Sequence, residues 1–200
     1  MRLVGINTPE MGQKGKPSQA FAKKAKNKLK KLLVNSSLIY LSYDKVKKDK
    51  YQRTLAYVSL PDGTDIQARL LSLGLAISIV IPPNDKRLNC YRKLEKQAQN
   101  SNLGIWQQKK YQPVRAKDLK MTYSDYRFVK GIVTSIKRKA DYLIISLDKS
   151  ISLKLSKKAF TSYYQSMLLG QQLLVRGWVY PYKKKFGMRI NHPENIKFLE

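Results

Sequence analysis

The alternation of apolar and polar residues divides the first half of the chain into strands and helices. MRLVGI, SSLIYLSYD and RTLAYVSL predict three strands, and ISIVIPPN is a fourth apolar run that two prolines end. KPSQAFAKKAKNKLKKLL predicts an amphipathic helix that starts near Pro17 and carries lysines on its outer face. Its apolar stripe recurs every three or four residues, at Phe21, Ala25, Leu29 and Leu32. DIQARLLSL, which Gly74 ends, and DKRLNCYRKLEKQAQ predict two more helices.

The second half has a different pattern, in which short strands follow one another closely. FVKGIVTSI, YLIISLD and ISLKLS predict three strands, KKAFTSYYQSML a short helix, and QLLVRGWVY and FGMRINH two more strands. This order is that of an OB-fold barrel, although any small sheet packed by one helix remains an alternative. The polar and basic stretch between the halves predicts a linker. The expected domains are 1–107, the linker 108–125, and 126–200.

The net charge is the strongest indication of the kind of partner that this chain binds. Forty Lys and Arg oppose thirteen Asp and Glu, for a formal net charge of +27. Such a field attracts polyanions, and nucleic acid is the foremost candidate, with a solubilising surface or anionic lipid as alternatives. The single cysteine, Cys90, and the single histidine, His192, exclude an intrachain disulfide and a Cys/His zinc site. No apolar run is long enough for a membrane span, and no signal peptide is visible.

Three charged side chains in the first half suit phosphodiester cleavage. The transition state at phosphorus gathers negative charge, which positioned guanidinium groups can hold with paired N–H donors. Arg2 and Arg53 are the candidates for this role. The attacking water needs a base or an orienting carboxylate, for which Glu10 is the candidate. Each residue alone is more simply explained as a solvated surface group, so the prediction depends on their order and spacing together.

That order and spacing resemble a known family. RLVGINTPE, DKYQRTLAYV, and GLA followed by a helix ending in NLGIW together resemble the staphylococcal nuclease family over residues 1–107, from that family's third strand onward. The fold class implied is α+β, a β-barrel with helices: a nuclease-like OB-fold without its first strands, followed by a second small OB-like domain. A chain that opens in mid-strand also leads us to expect further sequence upstream.

The resemblance assigns roles to individual residues. Arg2, Glu10 and Arg53 fall on the family's catalytic positions, and Lys50 and Tyr51 on positions that face a terminal phosphate. The family uses Ca²⁺, bound by two aspartates and a threonine carbonyl. Asn7 and Thr8 fall on two of these ligand positions, and the remaining aspartate position precedes Met1. Because Asn7 brings an oxygen without charge, a weak Ca²⁺ site is expected.

The second half weakly resembles an OB-like module found behind some bacterial nucleases of this family. Its aromatic residues are interleaved with lysines in PYKKKFG, a pattern typical of single-strand binding by stacking and phosphate contact. The residues expected to bind substrate there are Tyr182, Lys183, Lys184 and Lys185.

The predicted function is therefore a Ca²⁺-dependent nuclease acting on DNA or RNA, with single strands preferred and the chain acting as a monomer. The resemblance favours secretion or a cell-envelope location. A nucleic-acid-binding protein that has lost catalysis is the first alternative, and an electrostatic adaptor for anionic polymers or lipids is the second.

Overall fold

Buried apolar side chains form two separate clusters, one in each half of the chain. The structure, a computed structural model, describes residues 1–13, 15, 17–34, 36–156, 160 and 168–199. Backbone contacts divide it into the units Met1–Lys109 and Lys110–Glu200. Among the described residues, no helix is long and apolar enough to cross a bilayer.

The first unit contains short strands and three helices. Its strands are β1 (Arg2–Leu3), β2 (Ile6–Asn7), β3 (Tyr40–Ser42), β4 (Leu55–Ser59) and β5 (Ile77–Ser78). One sheet has the order β1-β4-β3, in which β1 runs parallel to β4 and β3 runs antiparallel to it. The strands β2 and β5 form a separate antiparallel pair.

The helices of this unit are α1 (Ala22–Val34), α2 (Ile66–Ser72) and α3 (Leu88–Asn100). The predicted start of α1 near Pro17 is wrong, because Phe21 has a left-handed backbone with a φ of 67° that a regular helix does not continue through. Asp65 caps α2 by accepting a hydrogen bond from the Ala68 N–H at 2.9 Å.

Two glycines let the segments GLA and NLGIW meet at the end of this unit. A Cβ atom on Gly104 would lie 2.1 Å from the Gly74 carbonyl oxygen, and one on Gly74 would lie 2.3 Å from the Leu103 carbonyl oxygen. Both glycines also have positive φ, which other residues adopt only with strain. The Ile105 N–H donates to the Gly74 carbonyl at 2.8 Å and fixes the contact.

The second unit is a closed five-stranded barrel with two added strands. Its strands are β6 (Val114–Arg115), β7 (Tyr126–Arg138), β8 (Tyr142–Leu147), β9 (Ile151–Ser156), β10 (Gln172–Tyr182), β11 (Lys185–Ile190) and β12 (Ile196–Leu199). Neighbours follow the order β7-β8-β9-β11-β10, and β10 pairs with β7 to close the barrel. The pairing of β9 with β11 is parallel, and this is the strand order predicted for an OB-fold. The predicted fold class, a β-barrel with helices, is confirmed.

Two predicted segments differ from the structure, and a third cannot be compared. Residues 108–125, predicted as a linker, contain β6, which pairs in parallel with β7, and they include the buried residues Tyr111 and Ala116, of which Ala116 belongs to the second unit's core cluster. The connection between the predicted strands QLLVRGWVY and FGMRINH is a two-residue turn rather than the five residues PYKKK, because Tyr182 and Pro181 pair with Lys185 and Phe186 as strand residues. The helix predicted for KKAFTSYYQSML falls on 157–168, which lies largely outside the described residues.

Candidate active site

Parallel pairing of β1 with β4 places Arg2 beside the turn that carries Arg53. Arg2 is in register with Leu55, and its N–H donates to the Thr54 carbonyl at 2.8 Å. Backbone hydrogen bonds therefore bring together two arginines that are about fifty positions apart in the sequence. This pairing is tertiary, so a local pattern in the sequence does not reveal it.

Asp49 organises the turn that leads into β4. Its Oδ1 accepts hydrogen bonds from the Tyr51 N–H at 2.8 Å and the Arg53 N–H at 3.0 Å. Its Oδ2 accepts from Arg53 Nε at 2.7 Å and lies 2.6 Å from Arg53 Nη2. The carboxylate thus holds both the backbone of the turn and the guanidinium of Arg53. The sequence prediction did not assign this role to Asp49, although the four-residue spacing to Arg53 was a signal for it.

Burial acts to raise the pKa of Asp49, but the hydrogen bonds from Arg53 and Tyr51 outweigh it, and the pKa lies below its ordinary value. The carboxylate therefore stays charged under mildly acidic conditions. Its negative charge orients the Arg53 guanidinium, and Arg53 and Lys50 both lie over the Tyr51 ring, at 5.3 and 4.9 Å from its centroid.

Arg2 is half-buried and experiences charges of both signs. Burial lowers the pKa of its guanidinium, and the nearby charge of Arg53 lowers it further, whereas Asp49 and Glu10 act in the opposite direction. Arg53 and Glu10 are therefore both within electrostatic reach of Arg2. Of the two carboxylates, only Asp49 forms a described ion pair with an arginine of this group.

The site residues line two clefts of the first unit. The first has a volume of about 440 Å³, and its lining includes Arg2, Lys50, Tyr51 and Arg53 opposite an apolar wall. That wall consists of Val46, Ile79, Ile81, Pro82 and Pro83.

The second cleft, of about 830 Å³, is lined in part by Thr8, Glu10 and Lys26. Leu3 contributes to both clefts, so they adjoin. The structure brings together Arg2, Lys50, Tyr51 and Arg53, and it places Glu10 next to them.

A buried glutamine supports β1, which carries Arg2, and β4, which follows the turn that carries Arg53. The Gln67 side chain, on α2, donates to the Ala56 carbonyl at 3.1 Å and the Val4 carbonyl at 3.5 Å, and accepts from the Val58 N–H at 3.1 Å. Gln67 is fully buried and bridges the end of β1 to β4. The sequence prediction missed it, although a polar residue on the apolar face of a short helix was a visible signal.

The oxygen donors near Asn7 suit a hard cation but carry little charge. Asn7 lies in β2, half-buried and in register with Ile77, and Thr8 follows it at the edge of the larger cleft. Among the described residues, no group of three or more His, Cys, Asp or Glu side chains is placed to hold a metal. An amide oxygen, a backbone carbonyl and one nearby carboxylate fit Ca²⁺ in donor chemistry, with less charge than a tight site has.

In the second unit, the predicted binding residues surround the turn between β10 and β11. Tyr182 and Lys185 form the last pair of the ladder, and Lys183 and Lys184 form the turn itself. Tyr182 is 52% exposed, and the Lys183 ammonium lies 5.7 Å from the centroid of its ring. The two turn lysines have φ angles of 44° and 59°. This left-handed pair of conformations favours Asn and Gly, so the backbone of the turn is strained.

Fold and site together define a basic α+β protein that places two arginines in a cleft of its first unit. The profile of the family described as "Staphylococcal nuclease homologue" matches residues 1–108. The chain therefore belongs to the staphylococcal nuclease homologue family, and the resemblance found in the sequence is confirmed.

Curated relatives match the same half. The chain is 42% identical over 107 residues to the thermonuclease of Staphylococcus intermedius, a match that covers 54% of this chain and 62% of that protein. It is 38% identical over 113 residues to the SPbeta prophage-derived endonuclease YokF of Bacillus subtilis, covering 56% and 38%. It is 37% identical over 113 residues to the endonuclease YncB of the same species, covering 56% and 53%. The chain thus spans less than two thirds of the length of each of these relatives.

The carboxylate of Asp49 gives the site a testable pH dependence. Because its folded-state pKa is lowered, its contribution to stability is present above the ordinary aspartate range and is lost as the pH falls through the folded-state pKa. We expect Asp49→Asn to lower the unfolding temperature at neutral pH, and the gap to the wild type to close as the solution is acidified below about pH 3.9. Thermal unfolding followed by circular dichroism across pH measures this gap.

Asp141→Asn is the control, because Asp141 is exposed and forms no ion pair with any described residue. It should show no pH-dependent gap. A gap for Asp49→Asn that persists unchanged into strong acid would contradict the assigned ion pair with Arg53.

Proposed function

We propose that the first unit is a nuclease that hydrolyses phosphodiester bonds of DNA or RNA. The observation that carries this proposal is the pair of arginines, Arg2 and Arg53, held in one cleft with Glu10 within electrostatic reach. The similarity to proteins named thermonuclease and endonuclease supports the same conclusion.

The proposed mechanism follows from the charges around the cleft. A phosphodiester enters between the guanidinium groups of Arg2 and Arg53, where paired N–H donors hold its oxygens. As water attacks phosphorus and the bond from phosphorus to the leaving ester oxygen breaks, negative charge grows on the phosphate oxygens, and the preoriented guanidinium groups stabilise it. The leaving oxygen takes up a proton from solvent water. Glu10 orients the water and accepts its proton. Lys50 and Tyr51 contact a neighbouring phosphate from the turn.

Asn7 and Thr8 are the residues that would hold a calcium ion. When bound, Ca²⁺ supplies positive charge that polarises a phosphate oxygen. Asn7 provides its side-chain amide oxygen and Thr8 its backbone carbonyl, and neither carries a formal charge. We therefore propose a weak Ca²⁺ requirement.

The second unit is proposed to bind single-stranded nucleic acid at its β10–β11 turn. The ammonium groups of Lys183, Lys184 and Lys185 contact phosphates, and the exposed ring of Tyr182 stacks on a base. A strained backbone that presents two adjacent lysines at a turn tip supports this role, because strain of this kind is commonly retained where it serves function.

The second candidate function is nucleic-acid binding without cleavage. The uncharged Asn7 favours it, because a nuclease that depends on a metal loses activity when the metal site loses charge. The two functions share the same polyanionic partner, so binding alone does not distinguish them. Turnover by the wild type does.

Removal of the paired donors tests catalysis. Arg53→Lys keeps the positive charge but loses the two-pronged geometry, and Glu10→Gln removes the proton acceptor while keeping the shape. We expect each change to lower kcat by about 10²-fold, the loss found when one transition-state donor is removed. Turnover is measured on denatured DNA and on RNA in the presence of Ca²⁺.

Arg69→Lys is the matched control, because Arg69 is exposed on α2 and lines neither cleft. It should keep wild-type turnover. If Arg53→Lys and Glu10→Gln both retain full activity, these residues are not catalytic. If the wild type binds the substrates but never cleaves them, the non-catalytic function replaces the proposed one.

Adding charge to the metal site tests the role of Asn7. We expect Ca²⁺ to bind the wild type with a Kd of about 10⁻⁴–10⁻³ M, the range of weakly charged sites. Asn7→Asp adds a carboxylate among the same oxygen donors and should tighten binding. Titration calorimetry measures both proteins, with Asn27→Asp as a control, since Asn27 lies exposed on α1 away from the site. Tight binding by the wild type, or no gain in Asn7→Asp, would show that Asn7 is not a ligand.

The strained turn of the second unit predicts a trade-off between stability and binding. Replacing Lys183 by Asn and Lys184 by Gly supplies the residues that this turn prefers, so the double variant should unfold at a higher temperature. It also loses two cations, so the slope of log affinity against log salt for single-stranded DNA should flatten by roughly one unit. Thermal unfolding and fluorescence anisotropy measure the two effects.

A double variant with Arg at both positions keeps the charge and the strain, and it should bind as the wild type does. Unchanged binding by the Asn-Gly variant would mean that the turn lysines are only solvated. A lower unfolding temperature for that variant would contradict the assigned backbone strain.

A further inference from the structure

The helix α1 carries an uncompensated positive charge. Its thirteen residues include six lysines and no acidic residue. No ion pair joins these lysines to a carboxylate in the described part of the chain. Lysines three or four positions apart are neighbours on a helix and repel one another. A bound polyanion would relieve that repulsion.

The six lysines occupy two flanks of the helix. Ala22 and Ala25 are buried and mark the inward face. At 3.6 residues per turn, Lys23, Lys26 and Lys30 lie along one flank, and Lys24, Lys28 and Lys31 along the other. The flanks contain the same number of charges at almost the same spacing.

The first flank reaches the cleft beside the candidate active site through one residue. Lys26 lines the cleft of about 830 Å³ that also contains Thr8 and Glu10, whereas none of the other five lysines of the helix does. With a rise of about 1.5 Å per residue, Lys23 and Lys30 lie about 10 Å apart along the helix axis. Three cations spread over that length can contact successive phosphates of a strand that runs along the helix.

We propose that the flank formed by Lys23, Lys26 and Lys30 is a track for the sugar–phosphate backbone of a bound nucleic acid. The scissile phosphate of that nucleic acid occupies the cleft lined by Arg2 and Arg53. This proposal rests on the proposed function, because the track starts at the cleft that Lys26 shares with Glu10. It contacts phosphates alone, so it binds without regard to base sequence. The opposite flank faces away from the substrate and contributes only to the general field of the protein.

Charge removal on each flank in turn tests the track. Lys23→Gln, Lys26→Gln and Lys30→Gln are combined in one full-length variant, and Lys24→Gln, Lys28→Gln and Lys31→Gln in the matched control. Both variants lose three charges from the same helix. Binding of a labelled single-stranded oligonucleotide is measured by anisotropy between about 50 and 200 mM salt, with a chelator present to prevent cleavage.

The cleft-flank variant should flatten the slope of log affinity against log salt by about two units, and the control should change it far less. Neither variant should unfold at a lower temperature, because both lose like-charge repulsion. Lys26→Glu and Lys28→Glu repeat the comparison with single changes, and the first should weaken binding more.

Equal effects of the two triple variants would overturn the track and leave only a long-range field. The same flank preference toward vesicles of anionic lipid, without one toward the oligonucleotide, would assign the flank to a membrane surface and overturn the nucleic-acid assignment. The chelator separates this binding test from catalysis. If the wild type shows no turnover but the two flanks still differ in binding, the proposed nuclease is rejected and the track stands. If the wild type turns over substrate but the two flanks do not differ, only the track is rejected.

Discussion

The site of the first unit depends on the placement of two guanidinium groups in one cleft. Burial and the neighbouring charge of Arg53 both lower the pKa of Arg2, and the ion pair between Asp49 and Arg53 neutralises only part of the positive charge. Contacts made on folding hold the two arginines close despite their like charge. A backbone hydrogen bond joins Arg2 to Thr54, and Asp49 fixes the guanidinium of Arg53. An anion bound between the two arginines would neutralise the positive charge that remains. Because the donors are already oriented, little reorganisation would accompany its binding.

The surrounding fold accounts for why such a site holds its shape. Gln67 satisfies backbone groups of both strands from a position where water does not reach, and the ring of Tyr91 packs directly against the backbone of Gly5. A side chain at Gly5 would meet that ring at 2.9 Å. The strands β1 and β4 next to the arginines are short, so their position is set by these contacts rather than by a long ladder of hydrogen bonds. Substitutions at Gln67, Gly5 or Tyr91 are therefore expected to shift the arginines, although none of these side chains contacts them.

Local sequence patterns predicted most of the secondary structure and less of the site. The alternation from Tyr126 onward predicted five barrel strands because most of them bury every second residue over much of their length, and the barrel confirms it. The helix start near Pro17 was wrong because a left-handed Phe21 breaks an otherwise continuous periodicity. The strand Val114–Arg115 was missed because two residues are too few to show a period.

Local sequence patterns likewise indicate only those contacts of the site that lie within one short segment. The motif DKYQR contains its own partner for Arg53, so a local signal existed for Asp49. The parallel pairing that brings Arg2 to the turn has no local signal, and only the family resemblance anticipated it. The roles of Arg2, Asn7, Thr8, Glu10 and Arg53 stay predictions, because geometry places these groups but does not measure what they do.

Distance limits how the large positive charge of this chain can act. At physiological ionic strength, charges in water are screened beyond about 8 Å, so most lysines raise the encounter rate with a polyanion and add little to the bound state. Lysines that touch phosphates act differently, since each releases a counterion on binding. Only three of the described lysines line the two clefts: Lys48 and Lys50 shortly before Arg53, and Lys26 on α1. The formal net charge of +27 therefore explains attraction to nucleic acid, and the position of a few side chains must explain where the strand lies.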